Sequence, residues 1–175
     1  QAEDALQAAR QLRPLDPLVW LNTAQFYTSA ARPFGSDTDS LAAEAFDRAL
    51  TLSPNSATIY AAWGHAALES GDVETAAAML RQAVALDATG GEAYLYLGAA
   101  EAALGRLEIA LAAYQEAVRL LPESGAAHTG AAAAYWRLGR SAEARAAVER
   151  ALQLDPSNAQ AATLHREIGD YIKLR

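Results

Sequence analysis

Residues 57–90 read ATIYAAWGHAALESGDVETAAAMLRQAVALDATG. The same layout returns without a gap over residues 91–124 and 125–158, a period of 34. Each copy has a small residue at its eighth place (Gly64, Gly98, Ala132) and a glycine at its fifteenth (Gly71, Gly105, Gly139). Alanine stands at the twentieth place (Ala76, Ala110, Ala144) and at the twenty-seventh (Ala83, Ala117, Ala151). A fixed period of this length, with small residues at fixed places, indicates a helical solenoid.

The physical unit within one copy is a helix pair. Tyr60, Trp63, Gly64 and Ala67 fall on one helical stripe, and Ala76, Ala77, Leu80, Ala83 and Val84 on a second. Both follow a period near 3.6. Between them, Gly71 can stop one helix and Asp72 can cap the next. Small residues at Gly64 and Ala76 let the backbones approach, and Tyr60 and Leu80 fill the space beside that contact. One pair cannot bury both of its faces, so successive copies must stack.

These residues resemble the tetratricopeptide repeat family. The resemblance rests on the large residue at place four (Trp20, Tyr60, Tyr94), the small one at place eight, and the two alanines. Proline at place thirty-two (Pro54, Pro122, Pro156) adds to it. Departures are His128 at place four, Ala88 in place of proline, and Glu101 where Tyr27 and Tyr135 stand in other copies. The family implies an all-α fold, a right-handed superhelical α-solenoid of antiparallel helix pairs.

Outward from the regular copies, the flanks read as incomplete repeats. Residues 1–16 look like the second helix of a truncated repeat, with Leu6 and Ala9 inward. This orphan helix would leave an apolar flank open to contact or self-association. Residues 17–56 form a repeat lengthened by six, opened by Asp16 as cap and Pro17 as first helical residue. The extra residues fall in ARPFGSDTD, residues 31–39, expected as a surface loop with Phe34 at its tip. After Pro156, residues 159–175 read as a capping helix. Leu164, Ile168 and Ile172 should face inward, and Gln160, Thr163, Glu167 and Asp170 outward. One solenoid spanning residues 1–175 is the expected domain organisation, and the chain reads as a piece of a longer protein.

Composition narrows the function. Of 175 residues, 52% are apolar and 45 are alanine, which favours helix over sheet. The net charge of -7 argues against a nucleic-acid partner. With no cysteine, neither a disulfide framework nor a zinc-thiolate site nor a thiol nucleophile can exist. No apolar run is long enough for direct membrane insertion. Localisation stays open between the cytoplasm and, for a module attached to a membrane protein, the far side of the membrane.

The family resemblance also implies a concave groove lined by first helices at places two, five, nine, twelve and thirteen. Carried over, those places hold Leu21, Gln25, Thr28, His65, Glu69, Leu95, Ala99, Ala102, Thr129, Ala133, Trp136 and Arg137, with Asn22 and Tyr96 at the edge. Some family members clamp a carboxylate with lysine, asparagine and arginine at places two, five, six and nine. Of such a clamp only Asn22 is present, so no carboxylate clamp is expected. The groove suits an extended segment or an amphipathic helix. Trp136 and Arg137 are the residue types favoured as anchors. For Trp136 the simpler expectation is packing on the closing helix, near Thr163 or Glu167. Glu101 stands at a place that is often packed; it either carries a shifted pKa or, the simpler expectation, snorkels to the groove rim.

No catalytic constellation is legible. His65, His128 and His165 lie in different helices at unrelated places, without metal-ligand spacing. Gly90-Gly91 joins two helices and follows no strand, so it is no phosphate cradle. The expectation is a non-catalytic interaction scaffold, without cofactor or metal, that binds a protein or peptide segment. A weaker resemblance, in residues 12–31, is to the segment following the membrane part of bacterial O-antigen polymerase or ligase proteins. It implies the alternative of a non-catalytic soluble tail on such a protein or on a glycosyltransferase.

Overall fold

Three turns of identical design punctuate the chain. Gly71, Gly105 and Gly139 have φ of 87°, 75° and 75°, the left-handed region that a side chain disfavours. At each, the glycine N–H and the next N–H turn back onto the ending helix. Gly71 N donates to Leu68 O and Asp72 N to Ala67 O; Gly105 N to Ala102 O and Arg106 N to Glu101 O; Gly139 N to Trp136 O and Arg140 N to Tyr135 O. This paired closure satisfies the last carbonyls of a helix and aims the chain back along it. After the first turn, the Asp72 carboxylate accepts from Thr75 N at 3.1 Å and starts the next helix.

The computed structural model describes residues 2–34 and 37–173. Among the described residues there are ten helices and no strand. They are α1 (Ala2–Leu12), α2 (Pro17–Phe34), α3 (Asp37–Leu52), α4 (Ala57–Ser70), α5 (Val73–Leu86), α6 (Gly91–Ala103), α7 (Leu107–Leu120), α8 (Gly125–Arg137), α9 (Ser141–Leu154) and α10 (Ala159–Lys173). The chain divides into two units, Gln1–Asp87 and Ala88–Arg175.

In the first unit α2 pairs with α3 and α4 with α5. Leu21, Ala24, Ala45, Phe46, Ala49 and Ile59 form its core, with Trp20 and Trp63 packed on it. Gly64 lets α4 come close to α5: a Cβ there would stand 2.5 Å from Leu80 Cγ. Here α1 lies against α2, with Arg10 over the Trp20 ring and the Tyr27 hydroxyl 3.5 Å from Glu3 Oε1. Leu12, Leu15 and Leu18, around the turn between them, are largely exposed.

The six extra residues of this unit do not form a loop as expected. Helices α2 and α3 have 18 and 16 residues, against 14 and 14 in α4 and α5, so both are longer and together account for all six. Pro33 falls in the last turn of α2, where its missing N–H forfeits a single backbone bond. The Phe34 side chain and Gly35 lie outside the described residues.

In the second unit α6 pairs with α7, α8 with α9, and α10 closes against α9 and α8. The Tyr114 ring of α7 is held between two glycines of different helices. A Cβ on Gly98 of α6 would come within 2.7 Å of it, and one on Gly130 of α8 would collide with it outright. Val148 of α9 instead meets Ala132, in a core shared with Ala161, Leu164 and Ile168 of α10. Host and guest sizes therefore compensate: glycines where the guest is an aromatic ring, alanine where it is valine. Gln160, Thr163, Glu167 and Asp170 of α10 are exposed as expected, but Ile172 is exposed too, because the helix outruns the core beneath it.

Candidate functional site

The first helices present different faces in the two units. In the first, Asn22 and Gln25 of α2 and Glu69 of α4 are exposed, and Thr28 and His65 are half-buried. Leu21 is not a groove residue: it is 6% exposed and belongs to the core. Beside this face lie two adjoining hollows of about 360 and 200 Å³ that share Thr28, Phe46 and Ala66. Their floor carries Phe46 and Trp63, whose rings are stacked at 5.6 Å and 6°. Gln25, Ser29, His65 and Glu69 line the smaller hollow, and Ser70, Asp72 and Thr75 the larger.

In the second unit Leu95, Tyr96, Ala99, Ala102 and Ala133 are half-buried. Thr129 is buried and serves the fold. Its hydroxyl donates to Gly125 O at 2.8 Å and accepts from Asn158 Nδ2 at 3.2 Å, while Asn158 Oδ1 caps Ala161 N at 2.9 Å. One asparagine thus starts α10 and ties it to α8, a role the repeat pattern does not announce. Trp136 packs on the closing helix, edge-to-face with Tyr171 at 5.1 Å and against the core that holds Leu164 and Ile168. Thr163 and Glu167, with Gln160 and Ala133, line an open hollow of about 460 Å³. Arg137 is exposed, but its Nη1 donates to Ala102 O at 2.9 Å, bridging α8 to the carbonyl end of α6.

Glu101 is not at a groove rim. Its side chain is fully buried and pairs with Arg106 Nη1 at 3.2 Å. The turn at Gly105 returns Arg106 over the end of α6, which supplies the cation that a buried carboxylate requires. Nearby, burial pushes the Tyr114 phenol up to about 12, against the opposing pull of the Arg137 charge.

The remaining titratable groups are scattered. The His128 ring nitrogen lies 3.1 Å from Pro122 O, and His165 Nε2 lies 4.0 Å from Glu149 Oε1. Among the described residues no group of three or more histidine, aspartate or glutamate side chains could hold a metal ion. Nor is any described helix long and apolar enough to cross a membrane.

Solved structures of similar fold follow the same design. A protein called YrrB, described as a TPR protein with an unusual peptide-binding site, has a TM-score of 0.80 at 22% identity, covering 98% of this chain and 85% of its own. MamA has a TM-score of 0.76 at 23% identity, covering 90% and 88%. The first TPR of Spaghetti (RPAP3), bound to the HSP90 peptide SRMEEVD, has a TM-score of 0.64 at 22% identity, covering 67% and 93%. No curated protein matches the chain. A tetratricopeptide repeat family model matches residues 61–122 and 103–159, together more than half of the sequence. The chain belongs to the tetratricopeptide repeat family.

Proposed function

We propose that this protein is a non-catalytic interaction scaffold whose first helices hold a segment of another protein. The observation that carries this reading is the pair of hollows in the first unit. An apolar floor that includes Trp63 is reachable there from a rim of accessible polar residues, the layout of a peptide site and not of a sealed core. The solved structures of similar fold that are described as holding or binding peptides lend support. Within the first unit the contact residues are Asn22, Gln25, Thr28, His65 and Glu69; Leu21 contributes only by packing.

Within the second unit they are Leu95, Tyr96, Ala99, Ala102, Ala133 and Arg137, with Trp136 as support for the closing helix. A carboxylate clamp has no basic residue to build on at the clamp places, so a peptide such as SRMEEVD should not bind measurably. Selection of a random twelve-residue peptide library on the immobilised protein tests the reading. Enriched peptides should be lost with Ala66→Arg, whose long side chain would fill both hollows while circular dichroism stays helical. Failure to enrich any peptide, or undiminished binding by the folded variant, would overturn it.

A further inference from the structure

Among the described residues that line the first unit's hollows, most polar side chains offer hydrogen-bond acceptors. Thr28 donates its hydroxyl hydrogen to Ala24 O, Ser29 to Gln25 O and Phe26 O, and Ser70 to Ala67 O. A hydroxyl whose hydrogen is spent on its own helix presents only lone pairs to a visitor. Glu69 and Asp72 add carboxylates; each carboxylate can accept about four hydrogen bonds, so the Asp72 bond to Thr75 N leaves capacity. Among the described lining residues, donor-bearing side chains are fewer: Gln25, His65, Thr75 and the Trp63 indole N–H. Beneath lies Trp63, half-buried, with one face covered by Phe46.

We propose that this cleft receives an arginine side chain of the bound segment, its guanidinium among the acceptors and its stem over the aromatic floor. The inference rests on the peptide-binding reading above and specifies its partner. Three features select the chemistry. A guanidinium carries five donors and no acceptor, the complement of an acceptor-rich rim. A cation near a tryptophan ring is attracted by the ring's electron-rich face. The methylene stem fills apolar space while its charged end stays at the rim. The protein's net charge of -7 adds long-range attraction for a basic segment.

The test uses the peptides enriched in the selection and two protein variants. Glu69→Gln and Asp72→Asn, combined, remove both charges; asparagine still caps a helix as well as aspartate, so α5 keeps its start. Each enriched peptide is compared, by isothermal titration, with a copy in which arginine is replaced by citrulline, the neutral isostere. The original protein should bind the arginine form about tenfold more tightly, in line with a charge-assisted hydrogen bond. The double variant should lose most of that preference, keeping only the small part due to the Trp63 ring and the hydroxyls. Enriched peptides without arginine, or an arginine preference undiminished in the double variant, would overturn this inference and leave the peptide-binding reading standing. Absence of any enriched peptide would overturn both.

Discussion

Repeat 57–90 in the first unit and repeat 125–158 in the second share one frame and differ in almost everything placed on it. Their turns are the same at Gly71 and Gly139, down to the two backbone bonds that close each helix. Inside, a glycine faces Leu80 in one and an alanine faces Val148 in the other, so contact sizes trade against each other at fixed places. Outside, the charges invert. Place thirteen is Glu69 in the first repeat and Arg137 in the second, and place sixteen is Asp72 against Arg140. The inner places keep the size match that the fold needs, while the edge places change charge from copy to copy. The same frame therefore carries carboxylates at these places in one unit and guanidinium groups in the other.

The sharpest way to break the inner half of this comparison is to disturb a host and guest. Gly98→Leu forces volume against the Tyr114 ring and should cost about 3 kcal/mol, read as a shift in denaturant midpoint. An unchanged midpoint would mean that the ring can move aside. Next in size is Asn158→Ala, which removes the α10 cap and the tie to Thr129. It should cost about 1–2 kcal/mol and increase hydrogen exchange selectively in residues 159–173. A uniform increase across the second unit would contradict a local role.

Size compensation itself is tested by transplanting one repeat's solution into another. The variant Gly98→Ala, Gly130→Ala, Tyr114→Val reproduces the alanine–valine pairing of Ala132 and Val148. It should be more stable than the sum of its single changes by at least about 1 kcal/mol. Strict additivity would show that the sizes are independent.

The smallest effect is confined to alkaline solution. The Tyr114 phenol ionises at 10.0 when unfolded but is held up to about 12 by burial, against the pull of Arg137. Between those values the unfolded chain releases a proton that the folded one keeps. The stabilisation is therefore complete below pH 10 and is lost as pH rises toward 12. Tyr114→Phe should flatten this decline in melting temperature, whereas an equal decline in the variant would place the titration elsewhere.

Much of this architecture is legible in the residues because it is local. Gly71, Gly105 and Gly139 announce helix stops whose chemistry needs only neighbouring backbone, and the 34-residue period announces the pairs. What is not legible depends on contacts made across helices. Glu101 looks like a rim residue until the turn brings Arg106 back over it. Thr129 sits at a groove place but is recruited by Asn158, 29 residues away. Gly130 gains its meaning only from a ring on α7. Pro33 and Gly35 suggest a loop, yet α2 reaches Phe34, because a proline in a last turn removes one bond and not a helix. Side chains of the cleft were legible in part. Gln25, Thr28, His65 and Glu69 follow from the family's groove places, while Phe46, Ser70 and Asp72 are brought there by packing.

The most direct test of the scaffold reading is an amide chemical-shift map of the labelled protein titrated with an enriched peptide. The account predicts that the largest changes in the first unit fall on Gln25, Thr28, Ala66 and Glu69, on the first helices. Changes concentrated instead on Arg48, Glu74 and Arg81, exposed on the second helices α3 and α5, would contradict it.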